Sequence, residues 1–207
     1  GLVLDQLNAQ LKRHGLFFPV DVSTSSRATL GGMTGNNSCG ARSIRYGKMV
    51  DNVLGVEALL QNGEKIQFGE VDPKSLNGKH RSTRDHLLQQ LFQIGIREAD
   101  EVRQRFPEVQ RRVGGYNIDE LIPPDHGVLN PARLLVGSEG TLAFSTSIHL
   151  KLQPIPTHKV LGVCHFPSFY EAMDSTQHLV TLNPDAVELV DRTMIELARS
   201  IPQFAEK

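Results

Sequence analysis

The sequence predicts an α+β fold, in which helices pack against an antiparallel sheet. Two apolar runs flank Asn62-Gly63, the residue pair that most strongly indicates a hairpin, and they predict strands over 53–61 and 64–68. Clean alternation of apolar and polar residues over 142–152 predicts a third, half-buried strand. Apolar residues at helical spacing in other parts of the chain supply the helices.

Two helical segments lie on either side of the predicted hairpin. Apolar residues three and four positions apart predict a helix over 3–13, which Gly15 ends. A longer helical pattern covers 84–106, and we expect Gly95 to divide it into two pieces. This pattern belongs to a helix-rich insert over about 71–112.

A change of pattern near Pro154 predicts a domain boundary, with one domain over 1–153 and the beginning of another over 154–207. Beyond the boundary the order of elements is strand, helix, strand, helix, which is how a ferredoxin-like unit begins. The predicted elements are strands over 159–166 and 185–190 and helices over 168–181 and 191–200.

Composition and charge argue against several function classes. Lys and Arg number 22 against 23 Asp and Glu, so the formal net charge of -1 gives no electrostatic reason to expect nucleic acid as a partner. The longest apolar runs are too short to cross a bilayer, so we expect no integral membrane segment. Cys39 and Cys164 lie far apart, which favours reduced thiols in a cytoplasmic protein.

We expect no metal site in this chain. The eight histidines are scattered without an H-x-H or H-E-x-x-H spacing, and neither cysteine lies in a C-x-x-C pair. Four arginines give the region after 100 a basic edge, for which a solvated helix face and an anion-binding surface both remain open. They are Arg103, Arg105, Arg111 and Arg112.

The stretch that most suggests a ligand is 28–47, which reads ATLGGMTGNNSCGARSIRYG. Its five glycines let the main chain approach a ligand closely, and its Asn and Ser residues add short hydrogen-bonding arms. The stretch has neither the P-loop pattern nor the Rossmann pattern. Contact with a pyrophosphate or a flavin edge and a purely structural loop of tight turns both remain open. We interpret Cys39 as a small packed residue rather than a nucleophile.

A second tight polar turn covers 137–142 and reads GSEGTL. Glu139 stands between two glycines, so its backbone can be held close to a ligand. Its carboxylate could then accept a hydrogen bond from a ring N–H or a ribose hydroxyl. A plain turn with an exposed glutamate is the alternative.

Three segments occur in the order and with the spacing of a known family. They read FFPVDVSTSSRATLGGMTGNNSCGARSIRYGKMVDNVLGVEALLQNGE, GGYNIDEL and LLVGSEGTLAFSTSIHLKLQPIP. They resemble the FAD-linked oxidase family, the vanillyl-alcohol-oxidase group with a PCMH-type FAD-binding domain, on its D-lactate, glycolate and D-2-hydroxyglutarate dehydrogenase branch. The resemblance implies the second subdomain of the FAD-binding domain, followed by the start of an α+β ferredoxin-like cap.

The resemblance also implies which residues contact FAD. Residues of 28–47 correspond to the loop along the isoalloxazine and pyrophosphate, and Val53 corresponds to a backbone contact with the adenine part. The turn corresponds to the family's GSEGTLG motif, with Ala143 in place of the last glycine. Asn36 and Cys39 stand where relatives often have Thr and Gly. The implied cofactor-binding residues are Pro19, Asp21, Gly31, Gly32, Asn36, Asn37, Ser38, Gly40, Gly47, Val53, Glu139, Gly140 and Leu142.

Two motifs of the family do not occur in this sequence. One is the glycine-rich pyrophosphate loop P-x-G-G-G-T-S, and the other is the cap motif H-x-G-D-G-N-x-H, which carries the catalytic histidine. We therefore expect a middle fragment of a larger protein, in which no catalytic residue can be assigned. We expect this fragment to be inactive alone and to bind FAD weakly or not at all.

The activity that the resemblance implies is oxidation of a D-2-hydroxy acid to the 2-oxo acid, with hydride transfer to flavin N5 and a further electron acceptor. The insert resembles that of the large bacterial members, which implies a 4Fe-4S cluster in a C-terminal region. The implied location is cytoplasmic, or peripheral at the inner membrane. Three alternatives stay open: another flavin enzyme on this scaffold, such as an alkyl-glycerone-phosphate synthase or sugar-alcohol oxidase, a non-flavin nucleotide-binding module, and a structural fragment.

Overall fold

The computed structural model describes residues 1–77 and 82–204. The chain divides into two compact units, Gly1–Ile155 and Pro156–Lys207. Part of the predicted insert over 71–112 and the last residues of the predicted second domain lie outside the described residues.

A three-stranded antiparallel sheet with the order β3-β2-β4 forms the centre of the first unit. The predicted hairpin and the predicted alternating strand are confirmed, since β2 and β3 flank Asn62-Gly63 and β4 pairs with the free edge of β2. Gly63 has a φ of 83°, a left-handed value that glycine adopts without strain. The strands in the described residues are β1 (Leu16–Phe17), β2 (Val53–Leu59), β3 (Lys65–Gly69), β4 (Phe144–Leu150) and β5 (Gln153–Pro154).

One face of this sheet builds the core. Val56 lies opposite Phe68 on one side and Ile148 on the other. Val56 and Phe68 are buried, and they belong to one apolar cluster with Leu88 and Phe92 of the long helix. Burial of such side chains contributes about 1.5–3 kcal/mol each, so this face fixes the register of the strands.

Helices cover the sheet and carry the loops between strands. The helix predicted over 3–13 is confirmed as Leu4–Lys12. Three short helices lie between it and β2, within and just after the glycine-rich stretch. The α-helices of the described part of the first unit are α1 (Leu4–Lys12), α2 (Leu30–Gly35), α3 (Ser43–Tyr46), α4 (Met49–Asn52), α5 (Thr83–Arg97), α6 (Ala99–Arg105) and α7 (Ala132–Leu135); 3-10 turns cover Pro73–Asn77 and Ile118–Leu121.

The predicted division of the long helix at Gly95 is wrong. Helix α5 starts after Ser82, whose hydroxyl accepts the N–H of Asp85 at 3.1 Å, and it continues through Gly95 to Arg97. The break comes at Glu98 instead. Gly95 is buried against the main chain of Leu121, where a Cβ atom would overlap the carbonyl group. The glycine therefore serves helix packing and does not end the helix.

A short two-stranded ladder closes the first unit. Leu16 of β1 lies opposite Pro154 of β5. The N–H of Ile155 donates to the carbonyl oxygen of Gly15 at 2.8 Å, directly beyond the ladder. The chain therefore leaves this unit beside the end of its first helix.

The second unit contains the two predicted helices but lacks the two predicted strands. The helices are α8 (Phe169–Leu179), continued by a 3-10 turn over Val180–Leu182, and α9 (Arg192–Ser200). No strand forms over 159–166 or 185–190, both of which the structure describes. In a split β-α-β unit another strand lies between these two, so they cannot pair with each other. Apolar side chains of the first segment are accordingly exposed.

Candidate functional site

The glycine-rich stretch and the second glycine turn lie side by side and are joined by main-chain hydrogen bonds. The carbonyl oxygens at the end of α2 accept both bonds: Thr34 accepts the N–H of Gly137 at 2.8 Å, and Gly35 accepts the N–H of Glu139 at 2.9 Å. The sequence places these segments about a hundred residues apart, and the fold makes them one surface. We call α2 together with the turn 137–142 the glycine face.

The turn 137–142 has an unusual backbone. Gly137, Glu139 and Gly140 all have positive φ, at 82°, 51° and 78°. A left-handed glutamate costs about 1 kcal/mol or more, so the bond from Glu139 to Gly35 must help to hold it. Glu139 and Gly140 are exposed, and a Cβ built on Gly140 would meet nothing within 4 Å. The turn therefore presents bare main chain to the outside.

Four glycines of the glycine-rich stretch fall into two groups. Gly31 is exposed, and a Cβ added to it would have nothing within 4 Å, while one added to Gly32 would meet only the Thr29 hydroxyl, at 3.1 Å. Gly40 and Gly47 are required by the fold instead. A Cβ on Gly40 would overlap Asp21, and one on Gly47 would lie 2.6 Å from the carboxylate of Asp51. The first group leaves space for a ligand, and the second shapes the loop.

Asp21 ties the preceding segment to this loop. Its Oδ1 accepts the N–H of Arg42 at 3.1 Å, and its main chain lies against Gly40. Pro19, two residues earlier, is buried. Asp21 and Gly40 therefore pack against each other, and the buried Pro19 shortly precedes them in the chain.

The three polar residues after α2 have different environments. Asn37 is fully buried with a left-handed φ of 52°, and its Oδ1 accepts the N–H of Val50 at 3.0 Å. Its Nδ2 has no hydrogen-bond partner among the described residues. Asn36 is exposed, and its Oδ1 accepts the hydroxyl of Ser38 at 2.6 Å. A buried amide nitrogen without a partner is a donor that a water or a ligand would satisfy.

Two other predicted residues lie at the margins of this arrangement. Leu142 ends the turn and is 37% exposed. Val53 is buried at the start of β2, and its carbonyl oxygen accepts Nδ2 of Asn130 at 3.3 Å. Its main chain is thus engaged within the fold.

Sequence reasoning missed the residues that support the turn from behind. Asn117 is buried, and its Nδ2 donates to the carbonyl oxygen of Val136 at 2.7 Å. Tyr116 is exposed, and its hydroxyl lies 2.8 Å from that of Thr141. Both belong to the segment GGYNIDEL, which carried part of the family resemblance but contributed no candidate site residue. The available signal was a glycine pair, Gly114-Gly115, followed directly by Tyr116 and Asn117.

The basic edge is largely neutralised by neighbouring acids. Arg103 pairs with Asp100 at 3.0 Å, Arg105 pairs with Glu101, and Arg112 pairs with Asp119 at 2.5 Å. The Arg112 guanidinium also lies over a phenyl ring, 4.5 Å from its centroid. These contacts favour the solvated helix face over the anion-binding surface.

Away from the glycine face, the outer side of the sheet carries one shifted carboxyl group. A hydrogen bond from Lys65 and the charge of that ammonium lower the pKa of Glu57, with a smaller contribution from His149. The pKa of Glu57 is lower in the folded state than in the unfolded state. The Lys65–Glu57 pair therefore stabilises the fold at pH values above the ordinary pKa of glutamate, and this contribution is lost as the pH falls through the lowered pKa. A shallow groove lies beside this pair and includes Leu54, Gly55, Gln67, Gly69, Arg84 and His149.

Neither a metal cluster nor a membrane span occurs in the part of the chain that the structure describes. Over 1–77 and 82–204, no three His, Cys, Asp or Glu side chains are grouped so that they could hold a metal ion. No helix within these two ranges has the length and apolar character needed to cross a membrane.

Comparison with known proteins finds a matching family and several similar proteins. Residues 1–69 match the family described as FAD binding domain. The D-2-hydroxyglutarate dehydrogenase of Haemophilus influenzae is 35% identical over 204 residues, which cover 96% of this chain and 20% of that protein. The enzyme of the same name from Escherichia coli is 34% identical over 201 residues, again 96% of this chain and 20% of that protein.

A further relative and a solved structure are also similar to this chain. The mitochondrial D-lactate dehydrogenase [cytochrome] of Arabidopsis thaliana is 29% identical over 192 residues, 92% of this chain and 25% of that protein. An alkyldihydroxyacetonephosphate synthase structure matches with a TM-score of 0.50 at 18% identity, over 89% of this chain and 24% of that one. At that identity the likeness concerns the fold alone. The chain spans only 20% of the length of its D-2-hydroxyglutarate dehydrogenase relatives.

Proposed function

We propose that this chain belongs, through residues 1–69, to the FAD binding domain family that those residues match, and that its glycine face forms one wall of the FAD site in a D-2-hydroxy-acid dehydrogenase. The observation that carries the proposal is the pair of main-chain bonds that Thr34 and Gly35 accept from the turn. These bonds join two segments that each offer open glycine backbone and polar groups. A dinucleotide cofactor needs such a surface, because its pyrophosphate and ring edges require main-chain contact at short range.

The residues present fit FAD in their chemistry. Gly31 and Gly140 leave their surroundings open, so a flat or extended ligand can approach the main chain. The unsatisfied Nδ2 of Asn37 is a donor suited to a carbonyl or phosphate oxygen. The exposed carboxylate of Glu139 is an acceptor suited to a ring N–H or a ribose hydroxyl.

We assign two roles to the predicted site residues. One group would touch the cofactor: Gly31, Gly32, Asn36, Asn37, Ser38, Glu139, Gly140 and Leu142. Val53, which is buried and whose carbonyl oxygen accepts from Asn130, would support the adenine end from within the fold. The other group would keep the loop in shape: Pro19, Asp21, Gly40 and Gly47. When bound, FAD supplies the acceptor for the hydride from C2 of the hydroxy acid. The residues of this chain bind and orient the cofactor, and the base that takes the hydroxyl proton is not among those we assign.

The D-2-hydroxyglutarate class is the substrate class we propose, with D-lactate as the second choice. Two D-2-hydroxyglutarate dehydrogenases at 34% and 35% identity support this order, against 29% for the D-lactate enzyme. We further propose a 4Fe-4S cluster outside this chain, an electron acceptor beyond the flavin, and a cytoplasmic or peripheral inner-membrane location. Their support is the resemblance to the large bacterial enzymes of this branch.

Titration with FAD tests the cofactor assignment. We expect the full-length protein to bind FAD in isothermal titration calorimetry and to show no comparable binding of ATP or NAD. We expect the 207-residue chain to bind FAD weakly or not at all, because one wall alone buries little of the ligand. Binding of ATP or NAD in place of FAD would contradict the flavin assignment. A chain of 207 residues that purifies yellow, with a flavin spectrum, would contradict the expectation for the chain alone.

Substitution of Gly31 by alanine separates ligand contact from folding. Nothing lies within 4 Å of the new Cβ, and alanine is preferred over glycine in a helix by about 1 kcal/mol, so the melting temperature should stay equal or rise. The FAD affinity of the full-length protein should fall about tenfold or more, because the methyl group keeps the cofactor from the main chain.

Gly162→Ala provides the matched control for this substitution. Gly162 is also open, and it lies in the second unit, outside the glycine face. We expect it to leave both the melting temperature and the FAD affinity unchanged. If Gly31→Ala binds FAD as tightly as this control, the glycine face is not where the cofactor binds.

A further inference from the structure

Two consecutive residues hold the turn of the glycine face at its two ends. Just before the turn, Nδ2 of Asn117 donates to the carbonyl oxygens of Val136 at 2.7 Å and Arg133 at 3.3 Å. Near its end, the hydroxyl of Tyr116 lies 2.8 Å from the hydroxyl of Thr141. The dipeptide Tyr116-Asn117 thereby contacts both ends of the turn.

The direction of the Tyr116 bond follows from counting protons. The hydroxyl of Thr141 has one proton, and it donates this proton to the carbonyl oxygen of Ser138 at 2.5 Å. Its oxygen can then only accept from its second hydroxyl partner, so Tyr116 is the donor. The result is a directed chain from Tyr116 through Thr141 to Ser138, which closes the turn on the side opposite Asn117.

This chain of hydroxyl groups lies where the backbone conformation is intrinsically least favourable. Between Ser138 and Thr141 stand Glu139 and Gly140, both left-handed. The N–H of Thr141 also donates to Ser138, at 2.9 Å, so the same carbonyl oxygen accepts two bonds from one residue. Without the Tyr116 hydroxyl, Thr141 loses its only described bond to a residue outside the turn through its side chain, and the turn keeps only its internal bonds.

We propose that Tyr116 is a positioning residue of the cofactor site, whose hydroxyl fixes the turn 137–142 in the conformation that FAD requires. The proposal rests on the proposed function of the glycine face. The role concerns geometry more than stability, because Tyr116 is 42% exposed and its hydroxyl is not part of the core. Asn117 shares the task but is buried, so its replacement would also disturb packing.

Tyr116→Phe is the principal variant, measured in the full-length protein by calorimetric titration with FAD. We expect FAD affinity to fall about 3- to 10-fold, the loss that follows from one missing hydrogen bond. The melting temperature of the FAD-free protein should not change. Tyr170→Phe, which removes an exposed tyrosine hydroxyl from the second unit, should match the wild type in both measurements.

Variants of Thr141 test whether the loss of FAD affinity in Tyr116→Phe comes from breaking the chain of hydroxyl groups. Thr141→Val should weaken FAD binding at least as much as Tyr116→Phe, and the double variant should be no weaker than Thr141→Val alone, because both changes break one chain. Thr141→Ser keeps the hydroxyl, so its affinity for FAD should stay within about twofold of the wild-type value. Unchanged affinity of Tyr116→Phe, or additive losses in the double variant, would overturn the proposal.

The failure of this proposal is distinguishable from failure of the proposed function. If the wild-type full-length protein does not bind FAD, both are wrong. If the wild type binds FAD and Tyr116→Phe binds it equally well, the glycine face remains a flavin site and only the positioning role of Tyr116 is lost.

Discussion

Gly40→Ala is expected to abolish FAD binding and to destabilise the Gly1–Ile155 unit by about 3 kcal/mol or more. A Cβ on Gly40 would overlap the carbonyl oxygen of Asp21 and lie 2.7 Å from its Cγ. The nearest of these atoms is main chain, so no side-chain rotation can make room. The loop must move, and the bond from Arg42 N–H to Asp21 must break with it.

Chemical unfolding of the chain, followed by circular dichroism, measures the stability loss, and titration with FAD in the full-length protein measures the functional loss. Asp21→Ala is an informative partner, since it removes only the carboxylate and should cost about 1 kcal/mol. Because the backbone oxygen remains, Asp21→Ala should not rescue Gly40→Ala in the double variant. A Gly40→Ala protein as stable as wild type would show that this loop is not packed as described.

Gly95→Ala is expected to destabilise the same unit by about 3 kcal/mol, in spite of the helix preference of alanine. The new methyl group would overlap the carbonyl group of Leu121 and lie 3.1 Å from the nitrogen of Ile122. Helix α5 and the 3-10 turn Ile118–Leu121 would have to separate, which uncovers buried Leu121 and Phe92. The propensity gain of about 1 kcal/mol is too small to offset this.

Gly114→Ala is the matched control for Gly95→Ala. It makes the same change in the same unit, at a glycine with nothing within 4 Å and without a left-handed φ. The free energies of unfolding of the two variants, measured with urea, should differ by nearly the full 3 kcal/mol expected above, which is about the cost of overpacking a buried contact. Equal midpoints would mean that α5 and the 3-10 turn do not touch closely.

The parts of the fold that sequence could predict are those set by local pattern. The hairpin depends on Asn62-Gly63 and two adjacent apolar runs, and β4 depends on its own alternation. Each signal lies within about a dozen residues, so no knowledge of distant contacts was needed. The two glycine segments of the site were recognised in the same way, by composition.

The parts that sequence could not predict depend on residues far apart in the chain. Gly95 was predicted to break a helix because its packing partner, Leu121, cannot be seen from the helix itself. Asn130 looks like an ordinary loop residue until its amide is seen to donate to the carbonyl oxygen of Leu54 at 3.2 Å. The strands predicted over 159–166 and 185–190 had the right residues but no neighbouring strand to pair with.

The glycine segments show the same limit within the site. Gly31 and Gly40 are only nine residues apart and are the same residue type. Yet the position of a Cβ atom on Gly31 is open, whereas a Cβ atom on Gly40 would meet the carbonyl oxygen of Asp21. A resemblance assigns both to the cofactor. Only the packing around each shows that one is available for contact and the other maintains the loop.

The two-residue ladder between β1 and β5 has a mechanical consequence. Where the chain leaves the first unit, Ile155 is bonded to Gly15 and Pro154 is paired with Leu16. A pulling force on the chain beyond Pro156 therefore acts first on the bonds to Gly15 and β1, before it reaches β4 or the turn that precedes β4. The ladder therefore bears a force applied to the second unit before that force can distort the glycine face.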